Sequence, residues 1–334
     1  MLGLLDGKKR PPAIDFLKNS AHLADSMSNI PAVSVVIATY NRAKFLSETV
    51  TSTLGQNFQD FELIVVDDGS TDNTRETLAP YLSRIRYFCQ DNQGPAAARN
   101  FGVRQARAPW IAFQDSDDLC TADHLEALYG CLRHHPECGL VFGNGAYLDG
   151  PEHNRSTIIP CRKSRRLEAR GVRLDDLFTK SIMRLQASVI SKTAYESVGG
   201  MDESLRICHD LDLFFRLLLR FPVKYTDRVV FLYRKHQGNI TLDEELRLTE
   251  NIKVIEKLGR EFPDAVAMLG ARKFARRIAY RYYRLARGRW RRNELVAAHQ
   301  AIDAAVAYSP FSLKYRLYQH RWNVWHRQRG FPGV

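Results

Sequence analysis

Two acidic turns hold most of the chemistry this 334-residue chain could perform: Val65-Val66-Asp67-Asp68-Gly69-Ser70-Thr71-Asp72 and Phe113-Gln114-Asp115-Ser116-Asp117-Asp118. Each follows directly on an apolar run. Carboxylates crowded this closely repel one another unless a cation or hydrogen-bond donors compensate, and hard oxygen ligands suit Mg2+ or Mn2+. Such ions keep several waters and are held by one or two carboxylates plus substrate phosphates, which makes a diphosphate the natural third party. Asp-Gly-Ser is also strong turn chemistry, and Asp72 reads as an N-cap before a helix over 73–81. Asp115, Asp117 and Asp118, three carboxylates in four residues, exceed any capping need.

Other phosphate-binding devices are missing from the sequence. The first strand leads into Ala38-Thr39-Tyr40-Asn41-Arg42, and neither a GxGxxG fingerprint nor a GxxxxGK[ST] loop occurs anywhere. This argues against an NAD enzyme and a P-loop ATPase. Tyr40 could stack on a base, and Arg99, on a small-residue helix after Gly94-Pro95, could pair with a phosphate or with an Asp of the cluster. The six cysteines form no CxxC pair and have no His at zinc-finger spacing, so they read as free thiols.

For both acidic turns to meet, the chain must bring them to one end of a sheet. Runs at 33–39, 62–66, 85–88 and 110–113 read as strands, separated by helical periodicity at 42–54, 72–82, 95–107 and 121–134. This alternation predicts an α/β fold of βαβ units, with a mainly parallel sheet covered on both faces. Ligands of such sheets bind outside the carboxyl ends of the strands, where both turns would fall. Past Gly139 the alternation loosens. Segments 139–148, 187–191 and 229–233 read as strands, 155–170 as a basic loop, 174–180 as a short helix and 210–220 as a strong one. From Leu242 every segment is helical in pattern, with Pro263 and Pro310 as breaks. The expected organisation is an N-terminal arm over 1–31 with a short helix within 14–27, an α/β domain over 32–241 and a basic helical region over 242–334.

Four stretches, 35–42 (VVIATYNR), 65–72 (VVDDGSTD), 94–102 (GPAAARNFG) and 113–118 (FQDSDD), resemble in order and spacing the motifs of the family 2 glycosyltransferases. The resemblance covers roughly residues 33–240. It implies a GT-A nucleotide-diphospho-sugar transferase fold, an inverting reaction and a nucleotide-sugar donor, commonly a UDP-sugar. Thr39, Tyr40, Arg42, Asp67, Asp68 and Arg99 would then surround the nucleotide. Asp115-Ser116-Asp117 matches the family's DxD motif, its first carboxylate near the ribose or a metal-bound water and its last on a Mn2+ or Mg2+ ion bridging the diphosphate. Asp118 would support that cluster.

Sugar transfer leaves negative charge on the departing oxygen and requires a base for the acceptor hydroxyl, on the face opposite the leaving group. In Gly199-Gly200-Met201-Asp202-Glu203 and the following His209-Asp210-Leu211-Asp212, Asp210 matches the family's catalytic base. By helix pattern alone Asp210 reads equally as a first-turn acid favoured by the helix dipole. His209 stands where the family usually has Glu, and an imidazolium there would lower the Asp210 pKa. Asp212 faces another side and reads as structural. The Tyr233-Arg234-Lys235-His236 stretch resembles the family's YRxH segment, from which a basic residue can close over the diphosphate; His236 is the expected metal or phosphate ligand, with Arg234 in support, against a plain surface-loop reading. The implied partners are the nucleotide-sugar donor and a glycan or lipid-linked acceptor, in cell-surface glycan or polysaccharide synthesis. Competing readings are a non-catalytic sugar-nucleotide or glycan-binding module, which would have lost the DxD or base residues, and a sugar nucleotidyltransferase, which would release pyrophosphate.

The formal net charge of +12 is unevenly placed: residues 31–240 carry 26 basic and 25 acidic side chains, and residues 241–334 carry 19 and 9. That excludes a uniformly basic nucleic-acid coat. Between 271 and 292 there are ten basic residues and no acidic one, with Phe274, Ile278, Tyr282 and Leu285 forming one helical stripe. Such a helix either docks by its stripe and leaves a solvated Arg face, or meets an anionic membrane surface with Tyr280, Tyr283 and Trp290 at the interface. Nucleic acid would use the same ingredients, but no RNA-binding motif accompanies them. No run approaches the ~18 apolar residues of a membrane span and the N-terminus lacks signal-peptide features, so the expected location is cytoplasmic or peripheral on the cytoplasmic face of a membrane.

Overall fold

The computed structural model describes residues 30–148 and 156–328, with side chains as far as Val324. The helix expected within 14–27, and almost all of the arm that holds it, lies outside the described residues. The first half is a run of βαβ units: β1 (Val33–Thr39), α1 (Ala43–Leu54), β2 (Phe61–Asp67), α2 (Thr74–Leu78), β3 (Arg86–Cys89), α3 (Pro95–Gln105) and β4 (Trp110–Asp115). β1, β2, β3 and β4 are parallel to one another. Their side chains alternate between two cores. Val36, Ile64, Val66, Ile111 and Phe113 face one, while Val33, Val35, Ile37, Leu63 and Val65 face the other, so both faces are apolar and both are covered. The small residues of α3 let it lie close on the sheet: a Cβ on Gly102 would come 2.4 Å from Val36 Cγ1.

The second half adds β5 (Leu119–Cys120), α4 (His124–His134), β6 (Leu140–Tyr147), α5 (Cys161–Arg170), α6 (Leu174–Thr179), β7 (Ser188–Ser191), α7 (Lys192–Ser197), α8 (His209–Arg220) and β8 (Val223–Tyr233). Together the strands form one eight-stranded sheet in the order β3-β2-β1-β4-β7-β6-β8-β5. β7 is antiparallel to both β4 and β6, β8 runs parallel to β6, and β5 closes the edge antiparallel to β8. Two expectations are corrected here, and one strand is new. The stretch read as a basic loop holds the helix α5, whose Arg, Lys, Leu, Glu and Ala are good helix formers although only Ser164 and Leu167 are buried. β8 begins at Val223, not 229, its first half disguised by the exposed Asp227 and Arg228. β5, at two residues, has no periodicity to read.

From residue 244 the chain is helical: α9 (Glu244–Glu261), α10 (Pro263–Leu269), α11 (Ala271–Arg291), α12 (Leu295–Tyr308) and α13 (Leu313–Gln328). Val254, Ile255 and Leu258 of α9, Leu269 of α10, and Phe274 and Ile278 of α11 belong to the same core as α3, α6 and α8. A second cluster joins Leu248, Ile252, Tyr283 and Leu285 to α12 and α13. Packing is thus continuous across position 241. Among the described residues no helix is long and apolar enough to cross a membrane.

Candidate active site

Register brings the acidic turns together. In the parallel ladder Thr39 lies opposite Asp67, and Ala38 lies opposite Asp115, so the carboxyl ends of β2, β1 and β4 form one edge. The chain leaves β1 for β2 on one side and β4 on the other, which makes this edge a switch point where α/β sheets hold ligands. A cavity of about 240 Å³ opens there. Thr39, Tyr40, Arg42, Asp68, Arg99, Asp115, Ser116 and Asp117 all line it. The Thr39 hydroxyl is buried with no hydrogen-bond partner, and Tyr40 is half exposed, as a stacking platform would be.

The two carboxylates of the first turn have different tasks. Asp68 accepts hydrogen bonds from Gln90 Nε2 at 2.8 Å, Gln93 N at 3.0 Å and Gly94 N at 2.8 Å, which fixes the loop leading into α3. Asp67 accepts from Ser70 N and from the Tyr87 hydroxyl, each at 2.9 Å, and does not line the cavity. Asp67, expected among the nucleotide-facing residues, instead builds the turn and points away from the cavity. Burial and the Asp67 carboxylate push the Tyr87 phenol up, keeping it a donor. The N-cap of α2 is Asn73, not Asp72 as expected; Asp72 accepts from Thr74 N at 3.1 Å and from Ala43 N at 3.1 Å, tying the entry of α2 to the start of α1.

Arg99 connects the two halves of the site. Its Nη2 donates to Asp115 Oδ1 at 2.6 Å and its Nη1 lies 2.9 Å from His209 Nε2. A guanidinium can only donate, so His209 Nε2 must be the acceptor and the ring is neutral. Burial and Arg99 depress the His209 pKa to about 3. No imidazolium adjoins Asp210, and the expected downward shift is reversed: burial chiefly, with help from Asp115, raises the Asp210 pKa above its ordinary 3.8, against the opposing pull of Arg184, its own helix N–H and Arg99. Asp210 sits half-buried in the first turn of α8, its Oδ1 2.6 Å from Leu211 N. Asp212, by contrast, is buried against Arg216 and Lys257.

The end of the second acidic turn is held from β8 and beyond. Asp117 Oδ2 lies 2.9 Å from His236 Nε2 and 3.5 Å from Arg42 Nε. Because Gly238 N–H donates to His236 Nδ1 at 3.1 Å, the ring proton sits on Nε2 and points at Asp117. His236 therefore orients Asp117, and to ligate a metal through Nε2 it would have to release Gly238. Arg234 donates from Nε to the Asp117 carbonyl at 3.0 Å and pairs with Glu48 at 2.6 Å. Asp118 turns inward, 1% exposed, accepting from Arg234 N and Gln186 Nε2 at 2.8 Å each. Burial and Asp115 push its pKa well up. It is a brace for the turn and not a ligand.

Three further residues complete the site. Asn100, beside Arg99, holds the 199–203 turn as a backbone mimic: Oδ1 accepts from Met201 N at 2.9 Å and from Tyr195, while Nδ2 donates to Met201 O and Glu203. Glu250 of α9, 2% exposed, accepts from the consecutive amides of Arg206, Ile207 and Cys208 at 2.7–2.9 Å. Arg206, thus presented, is an exposed cation lining the cavity, with no ion pair among the described residues. The charge of Arg206 and the small-residue stretch around Asn100 were visible in sequence, whereas Glu250 lies in a polar helix with nothing to single it out.

The sheet order, with β7 antiparallel between β4 and β6, is that of a GT-A-type fold. Residues 34–190, a little under half of the chain, match the model of Glycosyl transferase family 2. An uncharacterised glycosyltransferase of Rickettsia typhi is 28% identical over 212 residues, covering 63% of this chain and 66% of that one. S. aureus TarS residues 1–349 superpose with a TM-score of 0.61 at 18% identity, over 83% of this chain and 81% of that one; TarS has also been solved with UDP-GlcNAc. The mannosyltransferase PcManGT of Pyrobaculum calidifontis, solved with GDP-Man and Mn2+, gives a TM-score of 0.56 at 18% identity over 90% of this chain and 81% of that one. The chain spans two thirds or less of the length of the first curated relatives it matches.

Proposed function

We propose that the chain transfers one sugar from a nucleoside-diphosphate donor to a hydroxyl acceptor with inversion at the anomeric carbon. The observation that carries this reading is the single cavity edge that gathers Thr39, Tyr40, Asp68, Asp115 and Asp117 from the ends of three strands and Arg99 from α3. A base and ribose fit the Tyr40, Thr39 and Asp68 side, and the phosphates lie toward Asp117 and Arg206. UDP is the preferred nucleotide, supported by the UDP-GlcNAc bound to TarS; the GDP-Man of PcManGT makes GDP the alternative.

Asp117 fits a Mn2+ or Mg2+ ion, since such ions take one or two carboxylates and complete their shell with phosphates and water. Bound there, the ion would neutralise charge gathering on the departing diphosphate. Asp115 is held toward the cavity by Arg99, and Arg206 supplies an exposed cation for the phosphates. Asp210, unionised more readily than an ordinary carboxyl, is matched to accept the acceptor's proton. The acceptor is a glycan or a lipid-linked glycan of the cell-surface type.

Incubation with UDP-, GDP- and dTDP-sugars plus Mn2+, read as release of free nucleoside diphosphate, tests the proposal. UDP release that rises with acceptor supports it. Pyrophosphate release points to a nucleotidyltransferase, and donor binding with no release under any condition to a binding module.

A further inference from the structure

The ten cations of residues 271–292 are sorted by the fold into two sets. One set is used inside the protein. Lys273 pairs with Asp175, Arg284 with Glu244, Arg289 and Arg292 with Glu245, while Arg277 donates to Thr179 O and Arg281 to Asn251. The other set, Arg272, Arg276, Arg287 and Arg291, follows one exposed stripe of α11 and forms no ion pair among the described residues. α13 extends this stripe. Lys314 Nζ stands 4.2 Å from the centroid of the Tyr283 ring that Arg287 flanks at 5.8 Å, and Arg321 joins Arg287 and Arg291 around a groove of about 640 Å³. Beside these cations lie uncovered apolar side chains. Phe311 is 94% exposed at the turn between α12 and α13, and Leu313 and Leu317, one helical turn apart, are 71% and 53% exposed.

The occupant follows from this pairing. Aromatic rings that could stack on nucleic-acid bases are mostly spent: Tyr283 is buried and Trp290 stacks on Trp322 at 4.9 Å and 3°. Bare leucines and a bare phenylalanine set among unpaired cations instead match an interface with phosphate outside and hydrocarbon beneath. We propose that α11 and α13 dock on an anionic lipid bilayer, Phe311, Leu313 and Leu317 entering the acyl boundary and Arg272, Arg276, Arg287, Arg291, Lys314 and Arg321 meeting headgroup phosphates. The surface is separate from the donor cavity and stands or falls independently of the sugar-transfer reading.

Flotation of the full chain with vesicles of phosphatidylcholine alone, or with about one third phosphatidylglycerol, tests it; binding is expected only to the anionic vesicles. Replacing Arg272 and Arg276 together by Ser should weaken that binding roughly 30-fold, at about 1 kcal/mol per basic residue. Phe311→Ser with Leu317→Ser, at sites too exposed to matter for folding, should abolish the salt-resistant part of binding. Lys273→Ala, removing a cation already paired, should change it less than about twofold. Equal failure on both vesicle types, unchanged binding of the two double variants, or preference for a single-stranded oligonucleotide over anionic vesicles would each overturn the proposal.

Discussion

At the carboxyl edge of the sheet the inward-facing carboxylates are met by donors from different elements: Asp68 by three, Asp118 by two, Asp115 by Arg99 and Asp117 by His236. On α11 the like charges are divided, six facing acids or carbonyls of the body and four facing outward. Both regions began as runs of one sign in the sequence. In the first the run converges on a point and needs compensation; in the second it wraps around a helix, so neighbours in sequence have unrelated partners. A cluster confined to a turn after a strand can build a site, while the same density on a helix yields two surfaces.

The largest effect is expected where the donor edge meets α8. Asp210→Asn should keep donor binding and lose about 10³-fold in kcat, measured as nucleoside diphosphate released per enzyme. The same substitution should also raise the thermal midpoint at pH 7. The fold binds the Asp210 proton more tightly than the unfolded chain does, so its stabilising contribution is fully present below the ordinary carboxylate pKa and is lost as pH rises through the raised one. For the wild type the acid limb of kcat/KM against pH should accordingly lie above 3.8.

Next comes the joint between the two regions. Glu250→Ala strands three amide donors in a buried place and should cost about 3 kcal/mol by chemical denaturation. Glu250→Gln, which can still accept, should recover much of that stability. If both variants retained wild-type stability and turnover, the C-terminal helices would be a mere attachment to the site. A smaller change is expected at Arg206: replacement by Ala should raise the donor KM about tenfold with little loss of stability, since its side chain is exposed and only a charged contact to the donor is removed. Smallest of all, Lys273→Ala should alter stability by less than about 0.5 kcal/mol, because its pair with Asp175 is a surface one.

Much of the α/β half was legible because buried parallel strands are continuous apolar runs and acidic turns follow them without a gap. Tyr40, Arg99 and the two acidic turns could be gathered by chain order, and Thr39 by the family resemblance. What sequence could not sort was which neighbour of a pair points where. Asp67 and Asp68 are adjacent and chemically identical, yet the pleat sends one to Tyr87 and the other to the cavity side. Likewise His209 could not be known to be neutral until Arg99 was seen against its Nε2. Tyr283 and Trp290, which alternate with arginines as interface anchors would, lie against α13, whose approach no local pattern announces.

The contacts of Asn100 and Glu250 set terms for anyone who would recombine this chain with a relative. The family match ends at residue 190, and a chimera cut there would import a foreign 199–203 turn and a foreign α8 onto the native α3. Asn100 would then grip a turn it was not shaped for, and a graft that stopped short of α9 would set its own 206–208 amides against the native Glu250. The exchangeable cassette runs from α3 through α9, and a graft aimed at a new acceptor must carry both ends of it.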